Sequence, residues 1–117
     1  MLRLFHSSSI LTPERQKQID ACLAVHGEYL ANAFHDFHRL SNWGVLQGRG
    51  LYLLGLHLNR EDWCTLAAER IAQNLHFSVF ADGSHWEQSP LYHCEVLQCV
   101  LDVLWSAKQN SRTLPAG

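Results

Sequence analysis

The sequence predicts an all-α fold of about four helices in a single domain spanning residues 1–117. Apolar residues recur at three- and four-residue intervals over several long segments, which is the helical period. No segment alternates polar and apolar residues over the length of a strand; the nearest case, HFSVF at 76–80, is too short to build a sheet. Because 47% of the residues are hydrophobic, a chain of this length can form one core.

The first predicted helix runs from Pro13 to Phe34. Thr12 is a typical N-cap residue, and proline at the next position suits the first turn of a helix. The segment HDFHRLSN then interrupts the pattern and leads to Asn42. We expect the buried stripe of this helix to comprise Ile19, Leu23, His26, Leu30 and Ala33.

The second predicted helix, from Trp43 to Leu58, is apolar nearly all round and carries glycines at 44, 48, 50 and 55. A helix without a polar face is expected to be buried on every side. Glycine is unfavourable in a helix by roughly 1 kcal/mol relative to alanine, so four of them indicate close packing against neighbouring elements. Such a central helix is typical of the inner ring of a larger double layer of helices.

The third predicted helix follows Asn59, which we expect to be its N-cap, and carries Glu61 and Asp62 in its first turn. The fourth predicted helix runs from about Pro90 to about Lys108. The inward-facing residues are expected to be Trp63, Leu66, Ala67, Ile71 and Leu75 in the third helix, and Leu97, Val100, Leu101 and Leu104 in the fourth.

The charge pattern argues against two classes of partner. The formal net charge is −2 and no run of lysine or arginine is present, so neither nucleic acid nor an anionic membrane surface is expected to bind. The longest apolar stretch, residues 51–58, is far too short to span a bilayer. The segment MLRLFHSSSILTPE lacks the apolar core and cleavage site of a signal peptide, so a cytoplasmic location is expected.

The four cysteines, at 22, 64, 94 and 99, form no CxxC pair and are expected to be reduced thiols. A small metal or regulatory protein that binds zinc through Cys94, His85 and His93 is one alternative. These residues lack the standard spacing of zinc ligands, so neither a metal nor a cofactor is expected.

The segment DGSHWEQSPLYHCE, at 82–95, gathers imidazole, carboxylate, amide and phenol groups just ahead of an apolar helix. Each residue alone has a structural explanation. Asn42 could cap a helix, Tyr92 could be a core aromatic, and His85 and His93 could be half-buried histidines with ordinary partners. A connecting loop needs none of these groups in combination, which favours a functional site.

This segment, continued to DGSHWEQSPLYHCEVLQCVLDVL, resembles the signature of the heparinase II/III-like polysaccharide lyases, which carry DG-x-H-x-E-x-SP-x-YH ahead of a helix in their helical domain. The segment SNWGVLQGRGLYLLGL is similar to the asparagine-led inner helix of the same family. The resemblance covers about residues 25–105. It implies part of an (α/α) toroid that lacks the family's C-terminal β-sheet domain, so we expect a fragment that is inactive by itself.

The resemblance further implies cleavage of uronic-acid-containing glycans by β-elimination. The C5 proton of a uronate is weakly acidic because the adjacent carboxylate resists further negative charge. An amide that donates to this carboxylate lowers the cost of the enolate-like intermediate, and separate groups must remove the C5 proton and protonate O4. By the family motif, Asn42 would bind the carboxylate and Tyr92 would be the catalytic phenol.

Other residues of the motif would bind substrate. His85, Glu87 and Trp86 would line the cleft, with Gln47 and His93 behind them, and Glu87 would either touch the sugar or hold His85. Many family members have a histidine after the asparagine; Trp43 stands here instead, which favours Tyr92 as the base.

The partner expected from the resemblance is an acidic polysaccharide or oligosaccharide, with the choice among heparan and other glycosaminoglycans, alginate and other uronates left open. Self-association through exposed inner-helix surface is also expected. The alternative function is a non-catalytic helical module for carbohydrate binding or interaction, with Trp86 and Tyr92 as sugar platforms.

Overall fold

Helices account for nearly all regular structure in residues 11–114, the part of the chain described by the structure, which is a computed structural model. The helices in this range are α1 (Pro13–Asn32), α2 (Asp36–Leu40), α3 (Asn42–Leu58), α4 (Glu61–Ser78) and α5 (Pro90–Gln109). The all-α prediction is confirmed, with one short helix, α2, added in the segment predicted to be a break. The segment MLRLFHSSSILTPE, in which no signal peptide is expected, lies mostly outside the described residues.

Helices α3 and α4 run antiparallel. The Cys64 thiol near the start of α4 lies 3.7 Å from the Tyr52 carbonyl oxygen in the second half of α3. At the other end of α4, the Asn74 amide reaches the Ser41 carbonyl just ahead of α3, at 2.9 Å. Short connections between consecutive helices favour this arrangement.

Helices α3 and α5 run parallel and are held in register by two polar contacts. The Asn42 amide lies 3.5 Å from a Glu95 carboxylate oxygen, and the Arg49 guanidinium lies 2.6 Å from the Asp102 carboxylate. The partners are 53 residues apart in both pairs, so the contacts recur two helical turns along each axis. The first turns of α3 and α5 therefore lie at the same end of the molecule.

The core lies between α3, α4 and α5. It consists of Val45, Leu51, Tyr52, Trp63, Cys64, Ala67, Ala68, Ile71, Val96, Cys99, Val103 and Ala107. Helices α3 and α4 each bury seven residues, and Trp43 and Leu46 of α3 are 58% and 39% exposed. The prediction that the central helix is buried on every side is therefore wrong, because its neighbours among the described helices leave one face uncovered.

Helix α5 buries a different face from the predicted one. The leucines at 97, 101 and 104 are 50%, 50% and 48% exposed, whereas Val96, Cys99 and Val103 are buried. The smaller side chains lie against α3, since they allow a closer approach between the two helices. Trp105 extends this exposed stripe on α5, and self-association through exposed inner-helix surface stays a prediction.

Two further sequence predictions need correction. Asn59 does not begin α4; it ends α3 with a left-handed backbone (φ 55°), a conformation that asparagine tolerates, and Arg60 is the N-cap. Helix α1 ends at Asn32, and in the stripe predicted for it His26 is exposed and the other residues are only partly buried. One side of α1 meets the core, at Gly27, where the Trp63 ring packs, and at Leu30 and Ala31.

None of the helices in residues 11–114 combines the length and the hydropathy that a membrane-spanning segment requires.

The close packing at Gly44 gives a test of the fold. A β-carbon at this position would overlap the His38 carbonyl oxygen, which belongs to the backbone and cannot rotate away. We expect Gly44→Ala to lower the free energy of unfolding by about 1–3 kcal/mol, measured by urea denaturation. At Gly50 of the same helix the nearest atom, Leu30 Cδ1, would lie 3.5 Å away. Gly50→Ala should therefore stabilise by up to about 1 kcal/mol; equal effects of the two substitutions would contradict this packing.

Candidate functional site

The start of α3 is fixed by the side chain of Asn74 in α4, which is 1% exposed. Its amide oxygen accepts a hydrogen bond from Ser78 Oγ at 3.0 Å, which orients the amide group. Its amide nitrogen then donates toward three backbone carbonyls ahead of α3, those of His38 (3.2 Å), Arg39 (3.0 Å) and Ser41 (2.9 Å). One buried amide therefore sets the position at which α3 begins, and with it the position of Asn42.

The segment between α4 and α5 folds back on the end of α4. The N–H of Phe80 donates to the Ser84 carbonyl at 2.9 Å, and Val79 and His85 pair as an isolated antiparallel bridge. The N–H of Trp86 then donates to the Ser78 carbonyl at 2.8 Å. The reversal uses Gly83 in a left-handed conformation (φ 84°), which glycine adopts without strain. This reversal brings His85 and Glu87 to the end of α4 that faces the start of α3.

Asn42 is 5% exposed and contacts two carboxylates. Its backbone N–H donates to Glu87 Oε1 at 3.3 Å, and its side-chain amide donates toward Glu95 Oε2 at 3.5 Å. The helical N-terminus favours the negative charge of Glu87 at this position. Ser41, not Asn42, is the N-cap residue of α3. The capping explanation for Asn42 is therefore wrong, and its amide is available for another role.

Tyr92 lies in the first turn of α5. Ser89 caps this helix by accepting the N–H of Tyr92 at 3.4 Å. Tyr92 shares a helical face with Val96 and Cys99, four and seven residues on, which are buried against α3. Since Glu95 contacts Asn42 and lies one turn after Tyr92, the phenol belongs to the same end of the α3–α5 pair as Asn42. Tyr92 is 42% exposed, so it is not a fully buried core aromatic.

His85 is almost completely buried, at 2% exposure. Its Nδ1 accepts the N–H of Glu87 at 3.4 Å and lies 3.9 Å from Glu87 Oε2. Burial lowers the pKa of His85 below its ordinary value of 6.5; the Glu87 carboxylate acts in the opposite direction, and His93 adds slightly to the lowering. The imidazole is therefore neutral at pH 7, and because Nδ1 accepts, its proton belongs on Nε2.

Buried polar atoms without a protein partner concentrate among the predicted site residues. In the described part of the chain these atoms are Ser41 Oγ, Gln47 Oε1, Tyr52 OH, His85 Nε2 and Glu87 Oε2. Buried polar atoms are nearly always hydrogen-bonded, so atoms without protein partners mark a place where water or a ligand binds. Three of the five belong to residues predicted from the sequence to bind substrate.

The remaining predicted residues are less closely joined. Trp86 is 44% exposed and His93 is exposed, so both can be reached from solvent. Gln47 lies five residues along α3 from Asn42 and makes no described contact with the other predicted residues. The structure thus joins Asn42, Glu87 and His85 directly, and joins Tyr92 to them through the turn that carries Glu95.

Glu95 is the residue that sequence reasoning missed. It follows Tyr92 by three residues, which puts it next to the phenol on the same helix. The available signal was the pair of acids at 95 and 102, separated by the same seven residues as Asn42 and Arg49 on α3. An acid on the inward edge of an apolar helix needs a polar partner, and here that partner is Asn42.

A separate cavity of about 610 Å³ lies away from these residues and is lined by Tyr52, Cys64, Arg112 and neighbouring residues. Tyr52 is ten residues beyond Asn42, which is about 15 Å along a helix axis. Arg112 there forms an ion pair with Glu61. This cavity is therefore not part of the predicted site.

The zinc alternative gains no support in residues 11–114, where no group of three or more histidine, cysteine, aspartate or glutamate residues has an arrangement that could hold a metal ion. All four cysteines are free thiols.

Comparison with known proteins gives one match. The family model described as the heparinase II/III N-terminus matches residues 1–116, nearly the whole chain. No curated protein and no solved structure matches the chain.

The role of Asn74 can be tested by Asn74→Ala. The substitution removes the donor from buried carbonyls ahead of α3, so the free energy of unfolding should fall by about 3 kcal/mol in urea denaturation. Asn32→Ala is the matched control, because Asn32 also donates to a backbone carbonyl, that of Glu28, but is exposed. The control should change stability by less than about 0.5 kcal/mol. A small effect at Asn74 would show that α3 starts correctly without this amide.

The lowered pKa of His85 predicts a dependence of stability on pH. Below the ordinary pKa of 6.5 the unfolded chain binds a proton at this residue that the folded chain does not, so the native state loses stability as pH falls. Urea denaturation of the wild type and of His85→Gln between about pH 7 and about pH 5 should show a smaller loss in the variant. Identical pH profiles would mean that His85 titrates alike in both states.

Proposed function

This chain belongs to the heparinase II/III family, and on that premise we propose that it forms part of a polysaccharide lyase that cleaves uronic-acid-containing glycans by β-elimination. The observation that carries the proposal is the contact between Asn42 and Glu95 at 3.5 Å. This contact supports a shared site for the amide at the start of α3 and the turn that bears Tyr92. These are the amide and the phenol that the reaction requires.

The amide of Asn42 would act on the substrate carboxylate. It has two N–H donors, and one of them is directed to Glu95. The second would donate to the uronate carboxylate and stabilise the negative charge that develops when the C5 proton leaves. Because Glu87 and Glu95 repel an anionic substrate, the carboxylate must approach the amide from the side away from both acids.

Tyr92 would transfer the proton. In its ionised form the phenol takes the C5 proton, the C4–C5 double bond forms, and the C4–O4 bond breaks. The same phenol then returns a proton to O4, so the elimination consumes no water and needs no further reagent. Partial exposure of Tyr92 supports this role, since a polymer has to reach the hydroxyl from solvent.

His85, Glu87 and Trp86 would bind the sugar around this centre. The neutral imidazole of His85 carries its proton on Nε2, which has no protein partner and is buried, so it would act on a sugar oxygen through a bridging water. Glu87 would hold His85, which is one of the two roles expected for it. It would also hold the start of α3, which is a structural role. Three expectations stay predictions. They are the choice between heparan and alginate, the arrangement of the helices in an (α/α) toroid, and the cytoplasmic location.

The alternative is a non-catalytic carbohydrate-binding module, and the exposure of Trp86 and Tyr92 favours it. Ultraviolet absorbance of the C4–C5 unsaturated product separates the two functions. A lyase generates this absorbance from acidic polysaccharides, whereas a binding module retains the polymer unchanged.

Tyr92→Phe tests the catalytic assignment, in the protein's natural full-length form. Loss of the hydroxyl should lower kcat on uronate polymers by about a hundredfold to ten-thousandfold, with KM changed little, because the proton transfer is lost and the ring remains. Tyr29→Phe is the matched control, since Tyr29 is 67% exposed on α1, and it should retain full turnover. Near-normal turnover by Tyr92→Phe would make Tyr92 a packing residue.

A further inference from the structure

Trp43 directly follows Asn42 in α3 but has the opposite environment. Asn42 is 5% exposed, whereas Trp43 is 58% exposed. A large aromatic ring left in water beside a binding site is a common feature of ligand recognition, because its apolar area is buried only when the ligand is present.

The ring of Trp43 is held by Phe37 from α2. The two ring centroids lie 5.8 Å apart at an interplanar angle of 83°, an edge-to-face arrangement. Phe37 is itself 62% exposed, so the pair forms an aromatic surface and is not part of the core. Edge-to-face contact orients both rings while leaving the broad face of a ring free for a ligand.

Hydrogen bonds and close packing hold the backbone beneath this pair. Helix α2 and the start of α3 are joined through the Asn74 amide, and Gly44 lets the His38 carbonyl approach α3 closely. A surface that is already ordered loses little conformational freedom when it binds a ligand. The aromatic pair therefore has the preorganisation expected of a binding subsite.

From these observations we infer that Trp43, oriented by Phe37, is a stacking subsite for the sugar next to the uronate held by Asn42. The inference rests on the proposed function for the uronate itself. Side chains of consecutive helical residues point about 100° apart, so the two side chains cannot hold one ring in the same way. They can hold two successive sugars of one chain.

The chemistry of the indole selects what binds there. The face of an aromatic ring is negative, so it attracts the C–H groups of a pyranose and repels a carboxylate. The nearby charges on α2, Asp36 and Arg39, pair with each other at 3.7 Å, so their opposite charges offset each other. The subsite therefore takes the uncharged C–H face of a sugar, and the adjacent carboxylate turns toward the Asn42 amide. The ligand class is an acidic oligosaccharide of at least two sugars.

The test is calorimetric binding of uronate-containing tetrasaccharides, prepared from heparan sulfate and from alginate, to the natural full-length protein. We expect Trp43→Ala and Trp43→Leu each to weaken binding about tenfold, with Trp43→Phe closer to the wild type. The leucine variant keeps apolar bulk but has no aromatic face, so it distinguishes stacking from packing. Trp105→Ala is the control, since Trp105 is 64% exposed on α5, and it should bind normally.

Unchanged affinity in both Trp43→Ala and Trp43→Leu overturns the subsite, as does a wild-type protein that binds neither tetrasaccharide. Affinity retained by leucine but lost by alanine also overturns it, because packing would then be the cause. If Trp43 variants bind normally while Tyr92→Phe loses turnover, the subsite is wrong and the lyase stands. If Trp43 variants lose binding and the wild type produces no unsaturated product, the subsite stands and the lyase is wrong.

Discussion

The buried amide of Asn74 is the interaction on which the rest of the arrangement depends. It is the one side chain in the described residues that donates toward three backbone carbonyls at once, and all three precede α3. Without a partner those carbonyls would be costly to bury, so the short helix α2 and the start of α3 could not lie against the end of α4. The Asn74 amide therefore fixes where α3 begins, and with it the position of Asn42.

Parallel packing of α3 and α5 brings the first turns of the two helices, which carry Asn42 and Tyr92, to the same end of the molecule. Parallel helices present the same pole of the helix dipole at the same end, so the beginnings of both favour negative charge. Glu87 and Glu95 occupy this region and hold Asn42 through its backbone and its side chain. The two acids therefore hold Asn42 from both sides and leave one N–H of its side-chain amide without a protein partner among the described contacts.

The sequence was sufficient for the fold class and for helix α5 from its Pro90 start, because turn formers and helical periodicity are local signals. It was insufficient where packing against neighbouring helices decides which residues are buried or where a helix ends. The leucines at 97, 101 and 104 are more hydrophobic than Cys99 or Ala107, yet the smaller residues face α3 because they permit close approach. Asparagine suits either end of a helix, and the path of the chain decides that Asn59 ends α3 and does not begin α4. Glu95 was missed because its partner is 53 residues away.

The equal spacing of the Asn42–Glu95 and Arg49–Asp102 contacts has a consequence for how the sequence can vary. A residue inserted between positions 95 and 102 would turn one acid away from α3 by about 100°, whichever contact the helix kept. A residue inserted in the exposed turn around Gly83 would leave both pairs intact. The length of this stretch of α5 is therefore fixed by the register of its two polar contacts with α3, whereas the tip of the loop can change in length without disturbing either contact.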